Sequence, residues 1–225
     1  MKLNADFSQR VVIDTNSQPW VASPLPGVER RMLDRIGDEV ARATSLVRYA
    51  PDSYFSPHEH GGGEEFLVLD GVFSDEHGDY GPGMYLRNPL GSSHKPFSRD
   101  GCTIFVKLWQ MAPDDQEFVR IDTANAAWEP WSMEGVEVIR LAEREDERVY
   151  LMRMQPGTVV PAHDHPGGEE LFVLEGEFGD QNGRYPKGTW LRMPAGSTHQ
   201  LVSEPGCTIW LKLGHLAGTI ESPAI

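Results

Sequence analysis

Residues 58–94 and 163–199 are one segment written twice. Placed at an offset of 105 without a gap, they share 20 identities in 37 positions. The match continues downstream, where Cys102 falls on Cys207 and Lys107 on Lys212. Upstream the offset becomes 108: VVIDTNSQPW (11–20) meets VRIDTANAAW (119–128), and Gly27-Val28-Glu29 meets Gly135-Val136-Glu137. A three-residue difference between Leu33 and Leu46 absorbs the change. The chain is therefore a tandem duplication, with halves 1–112 and 113–225 meeting near MAPDDQ. Two domain-sized copies are too few and too long for a solenoid. The expectation is two like domains packed about a pseudo-twofold axis.

Within each half the local signals read as strand. TSLVRYA, EEFLVLDGVF, GMYLRN and CTIFVKLW are short, rich in β-branched, aromatic and aliphatic residues, and bounded by Gly, Pro, Asp or Asn. VYLMRM, EELFVLEGEF, GTWLRM and CTIWLKLG repeat the pattern. SDEHGDY and GDQNGRY, each with a Gly near the middle, read as hairpin turns. GVERRMLDRIGDEVAR is the best helical candidate, but its counterpart GVEVIRLAEREDERVY lacks helical periodicity, which favours strands in both. Many short strands without strand–helix alternation predict an all-β chain of antiparallel sandwiches or barrels.

The chemistry is concentrated in the repeated segment. His163 and His165 are one residue apart, so in a strand both imidazoles project from the same face. A Pro-Gly-Gly bend then leads to Glu169 and Glu170, which face opposite ways, so only one can turn back to the histidines. The same choice exists between Glu64 and Glu65. His199, from PAGSTH, adds a third imidazole; His58, His60 and His94 supply the matching set. Three neutral imidazoles and one carboxylate suit a divalent transition metal, and without thiolates a closed structural zinc site is not expected. Four protein ligands leave positions open for a small-molecule ligand or dioxygen. His77 and His215 lie outside the pattern and read as surface residues.

The formal net charge of −14 argues against nucleic acid and anionic membrane as partners. No window reaches the ~18 apolar residues that a membrane span needs, and no signal peptide is visible, which leads to a cytoplasmic expectation. Cys102 and Cys207, too few for a disulfide framework, read as small apolar fillers of buried strands. Trp20 and Trp128 match across the repeat and read as scaffold. Arg87 and Arg192 read as partners of Glu65 and Glu170 on the outer face of the sheet rather than as substrate clamps.

These residues resemble the cupins. The first cupin motif, G-x5-H-x-H-x3/4-E-x6-G, is matched by Gly157, His163, His165, Glu169 and Gly176. The first half fits through His58, His60, Glu64 and Gly71, with Asp52 in place of the leading Gly. The second motif fits Gly188, Pro194, Gly196 and His199, and likewise Gly83, Pro89, Gly91 and His94, with Ser98 and Ser203 where its final Asn would stand. The resemblance selects Glu64 and Glu169 as the ligating carboxylates. It implies a bicupin of two antiparallel jelly-roll β-barrels, each holding one divalent metal (Zn, Fe, Mn or Ni).

The double Glu, Asp75/Asp180, Tyr80/Tyr185, Arg87/Arg192 and the Gly-Cys pairs make the chain more narrowly similar to the ChrR type of cupin. That likeness implies a regulatory or sensory protein linked to oxidative, singlet-oxygen stress, with a sigma factor or other regulator as partner. The His-x3-Cys-x2-Cys zinc motif of the anti-sigma domain does not occur in the sequence. Similar cupins also resemble dioxygenases that cleave diketone-like substrates, which is the alternative expectation; no catalytic residue separate from the metal ligands is then required. A monomer or homodimer is expected.

Overall fold

The computed structural model describes residues 1–217 and 223. Its regular structure is antiparallel strand, apart from one 3-10 turn at Thr15–Ser17. The stretch that looked most helical forms the strand Val28–Gly37, and its counterpart forms Val136–Glu143. No helix among the described residues is long and apolar enough to cross a membrane.

The described residues form two compact units. One holds Met1–Ala5 and Pro19–Ala126; the other holds Asp6–Gln18 and residues 127–217. In the first, a large sheet runs Lys2–Leu3, Val28–Gly37, Ala41–Tyr49, Cys102–Leu108, Glu64–Gly71, Met84–Asn88 and Val119–Asp122. Smaller pairings complete the barrel, including His58–Glu59 with Ser93–His94. The second unit repeats this order with Glu129–Pro130, Val136–Glu143, Arg148–Met154, Cys207–Leu213, Glu169–Asp180, Thr189–Met193 and Val11–Asp14. Thr158–His165 and Ser197–Ser203 form its histidine-bearing hairpin layer. Val11–Asp14 of the first repeat and Val119–Asp122 of the second therefore each complete the sheet built by the other repeat.

Period-two alternation builds the core. In the first unit Leu86, Phe66 and Val106 stand in register across three strands and face the interior with Ile104, Phe73 and Tyr80. In the second, Leu191, Leu171 and Leu211 do the same, joined by Val173, Phe178 and Tyr185. Cys102 and Cys207 are buried on these strands as apolar fillers.

One position along, the rows Arg87–Glu65–Lys107 and Arg192–Glu170–Lys212 stand on the opposite face, yet they too are buried. Arg87 Nη1 lies 3.2 Å from Glu65 Oε2, and its other amino group pairs with Asp115. Arg192 lies over the Phe7 ring at 4.1 Å and donates to the Asp6 carbonyl at 3.2 Å. The predicted pairing with Glu65 holds for Arg87, and both guanidinia stand on the outer face of the sheet, as expected, but buried there. Trp20 is sandwiched by Arg31 and Arg48, each 4.4 Å from the ring, and Trp128 carries Arg153 in the same way. Both serve the scaffold.

The Asp52 departure from the motif has a simple cause. Gly157 takes φ +82°, and Asp52 takes φ +56° at the matching place. The turn demands a left-handed residue, and a short polar side chain that bonds locally tolerates this best after glycine.

Candidate metal centres

In the second barrel, His163 and His165 come from the strand Thr158–His165, and His163 is paired in register with His199. Two amides, of Gly168 at 3.0 Å and Gly196 at 2.8 Å, converge on the His165 carbonyl. This clamp ties the Pro166-Gly167-Gly168 bend to the turn before His199. Gly168 sits at φ +75° with a Cβ position only 2.8 Å from Leu216, so the bend suits glycine alone. The next strand then begins with Glu169, aimed back at the imidazoles.

The result is a tight cluster. One ligand atom from each of His163, His165, Glu169 and His199 falls within 4.8 Å of the others. Glu169 Oε2 is 3.5 Å from His165 Nε2 and 3.3 Å from His199 Nε2. All three of these atoms are buried and make no hydrogen bond. His163 Nδ1 lies 2.8 Å from the Pro161 carbonyl, which can only accept, so Nδ1 carries the proton and Nε2 is left as a donor for a metal.

Electrostatics point the same way. Burial, reinforced by His199 and His163, pushes the His165 imidazole down to about 3. Burial and the neighbouring His163 push His199 down to about 4. Burial, with the Asp180 charge, lifts the Glu169 carboxyl to about 8. The imidazoles are kept neutral, which is the ligating form, and the carboxylate lacks a counter-charge.

The first barrel is not a copy. His58, His60 and His94 form a group within 4.8 Å, with ring centroids 4.7–5.1 Å apart, and Glu64 is not part of that group. Glu64 Oε2 stands 3.5 Å from His60 Nε2 and 3.7 Å from His94 Nε2, and accepts the Asn88 amide at 2.9 Å. Asn88 is in turn held by Arg120 at 2.6 Å. Burial opposes ionisation of Glu64, but His60, His94 and Asn88 outweigh it and hold the carboxyl below its usual range. Burial keeps His60 low, whereas at His94 the Asp75 hydrogen bond and the Glu64 charge overcome burial and raise the imidazole.

Seven of the eight ligand candidates thus lie in these two clusters, and Glu64 stands beside the first. Sequence reasoning missed Asn88, Arg120 and Arg10, which act around the ligands. The available signal was polarity at matched positions: Asn88 corresponds to Met193, and Arg10 to Phe118. It also misplaced His215. That imidazole is packed away 3.1 Å from Glu170 Oε2, while the glutamate's other oxygen accepts the Trp190 indole at 2.8 Å. His77 is exposed, as expected.

Two antiparallel barrels of this topology, each with a histidine cluster delivered by the motif strands, define a bicupin. The ChrR Cupin-like domain profile fits residues 8–112 and again 116–217, and the chain belongs to that family. No curated protein sequence matches it. Among solved structures it is similar to a candidate dioxygenase of Nostoc punctiforme, at 17% identity over 97% of this chain and 87% of that chain, with a TM-score of 0.77. YlbA of Escherichia coli shares 15% identity over 96% and 95%, with a TM-score of 0.72. The E. coli pirin YhhW, solved in complex with nickel(II), shares 9% over 91% and 98%, with a TM-score of 0.67. At such identities the likeness is one of fold.

Proposed function

We propose that the protein is a metal-binding sensory bicupin of the ChrR type, with His163, His165, Glu169 and His199 as one ligand set and His58, His60, His94 and Glu64 as the other. The observation that carries this reading is the group of orphaned donors in the second barrel: His165 Nε2, His199 Nε2 and Glu169 Oε2. Leaving a buried polar atom without a partner costs about 1–3 kcal/mol. Three converge here, and a single divalent cation satisfies them together. Nitrogen and oxygen donors without sulfur suit Zn, Fe, Mn or Ni. When bound, such an ion supplies Lewis acidity and open positions for a small oxygen-containing ligand.

The chain's own residues set the surroundings. His163 is the half-exposed member of the cluster, and the other three are buried, so a ligand approaches on the His163 side. Below the cluster the apolar core excludes water. Kinship with the ChrR cupins supports the regulatory half of the reading, with a sigma factor or other regulator as partner.

Elemental analysis of the protein as isolated tests the metal assignment. His163→Ala/His165→Ala is expected to lose the second centre's metal and keep that of the first; unchanged content overturns it. A second reading, a metal-dependent dioxygenase acting on a small diketone-like compound, is favoured by the solvent-facing side at His163 and by the fold shared with the Nostoc protein. Oxygen uptake on addition of β-diketones would favour it. The sensory reading instead expects no turnover, and a change in metal content or thermal stability after exposure to photosensitiser-generated singlet oxygen.

A further inference from the structure

The two clusters carry the same ligand types but differ in what stands behind them. In the first barrel, Asp75 Oδ2 lies 3.3 Å from His94 Nδ1, while His94 Nε2 faces Glu64. Asp75 Oδ1 is held by the Tyr80 hydroxyl at 3.1 Å and the His77 amide at 2.8 Å. A carboxylate bonded to the outer nitrogen of a ligating imidazole fixes its tautomer, orients the ring and raises its basicity.

Asp180 is the matching residue in the second barrel, but its carboxylate is spent elsewhere. Oδ1 takes the Tyr185 hydroxyl at 2.6 Å, and Oδ2 pairs with the Arg10 guanidinium at 3.3 Å. Arg10 also donates to the Tyr185 hydroxyl, and its Nε lies 3.2 Å from Met193 Sδ. His199 Nδ1 is left buried with no hydrogen bond. Met193 replaces Asn88, so the amide that holds Glu64 has no equivalent at Glu169. Phe118 stands where the repeat would place an arginine, and the guanidinium that the first barrel does bring beside Tyr80, that of Arg120, is bonded to Asn88 at 2.6 Å, while Asp75 stays on His94.

We infer that Arg10 is a positioning residue that withholds Asp180 from His199 and thereby makes the second centre the weaker, more exchangeable of two unequal metal sites. The inference rests on the reading that both clusters bind metal. The duplicated ligand set is thus divided into a braced centre and an unbraced one, by a side chain that touches no ligand imidazole. The Asp180 side chain is buried and Arg10 is 29% exposed, so the ion pair is partly shielded from solvent, and the Tyr185 hydroxyl shared by both helps to hold its geometry.

Cobalt(II) titration of the full chain, followed by its visible ligand-field bands, tests this. His58→Ala/His60→Ala isolates the second centre, and His163→Ala/His165→Ala isolates the first. Asp75→Asn is expected to weaken the first centre about 10–100-fold, the usual effect of removing such a brace. Asp180→Asn is expected to leave the second centre's affinity nearly unchanged. Arg10→Phe, which installs the first barrel's residue, is expected to tighten the second centre by about 10-fold and shift its bands. Adding Asp180→Asn should cancel that gain, and Arg10→Lys, which keeps the pairing, should behave as wild type.

If Arg10→Phe fails to fold, the Asp75→Asn and Asp180→Asn pair decides the matter. Equal weakening of both centres by these two changes overturns the inference, as does an Arg10→Phe centre with unaltered affinity and spectrum. Cobalt uptake by neither isolated centre removes the metal reading itself and the inference with it.

Discussion

Glu169 faces His199 across 3.3 Å, carboxylate oxygen to Nε2, with neither atom hydrogen-bonded to anything. In the first barrel Glu64 faces His94 across 3.7 Å, but its oxygen is occupied by the Asn88 amide. One pair is an unsatisfied contact and the other a supported one, from nearly the same sequence.

The unsatisfied pair predicts the behaviour of Glu169→Gln. The amide keeps the shape and cannot ionise in the buried site. Metal-free variant is expected to equal or exceed metal-free wild type in stability, by up to about 1–3 kcal/mol. The rise in Tm that metal produces at the second centre should disappear. Calorimetry with chelator and with added metal checks both; an undiminished metal-induced rise excludes Glu169 as a ligand.

Arg87 predicts a stability effect unrelated to metal. It is buried against Glu65 and Asp115, so Arg87→Met leaves two buried carboxylates without this partner. Breaking one side of a buried pair costs about 3–5 kcal/mol. Urea denaturation should show the loss with the metal-binding stoichiometry of the folded fraction intact. A change below ~1 kcal/mol would mean that the row is solvated.

Gly176 lies within the ligand-bearing strand Glu169–Asp180, at the last pair of its ladder with Cys207–Leu213 and just past the register slip between Val173 and Glu175. It holds φ +69°, and a Cβ would sit 2.0 Å from the Gly206 carbonyl oxygen. Left-handed backbone costs a non-glycine residue ~1–2 kcal/mol, and forced overlap adds ~1–3. Gly176→Ala is therefore expected to destabilise by about 2–5 kcal/mol in a thermal melt, whereas Gly196→Ala, whose Cβ would meet nothing within 4 Å, should show only the backbone part.

The cysteines predict slow chemistry. Burial pushes the Cys102 thiol up to about 11 from an ordinary 9.0, and Cys207 is raised by the same cause. Little thiolate exists at neutral pH, so alkylation by iodoacetamide should await unfolding. The sign follows from linkage: the folded state holds the proton more tightly, so stability is unaffected below pH 9 and falls as pH climbs from 9 towards 11. Rapid labelling at pH 7 in the native protein would overturn the packing role.

Duplication, the strands and the paired histidines were legible from residue order because each is local, while the choice among the adjacent glutamates came from the resemblance. Two histidines share a strand face by parity, and a glycine bend returns a carboxylate within a few residues. The repeat then supplied an internal check, since a chemical pattern kept in register twice is hard to produce by chance. Even the Asp52 departure could be spotted from the motif, although its left-handed backbone could not.

Long-range relations were not legible. The sheet that each of two strands joins, Val11–Asp14 with Thr189–Met193 and Val119–Asp122 with Met84–Asn88, depends on edges distant in the chain. The burial of Arg87, Arg192 and His215 depends on what packs over a face that alternation marks as polar. The unequal support of the two clusters depends on Arg10 reaching a carboxylate 170 positions away. Periodicity and spacing encode which way a side chain points from its own backbone; which partner meets it is decided only when distant segments are brought together, because those contacts are selected by packing and charge in three dimensions.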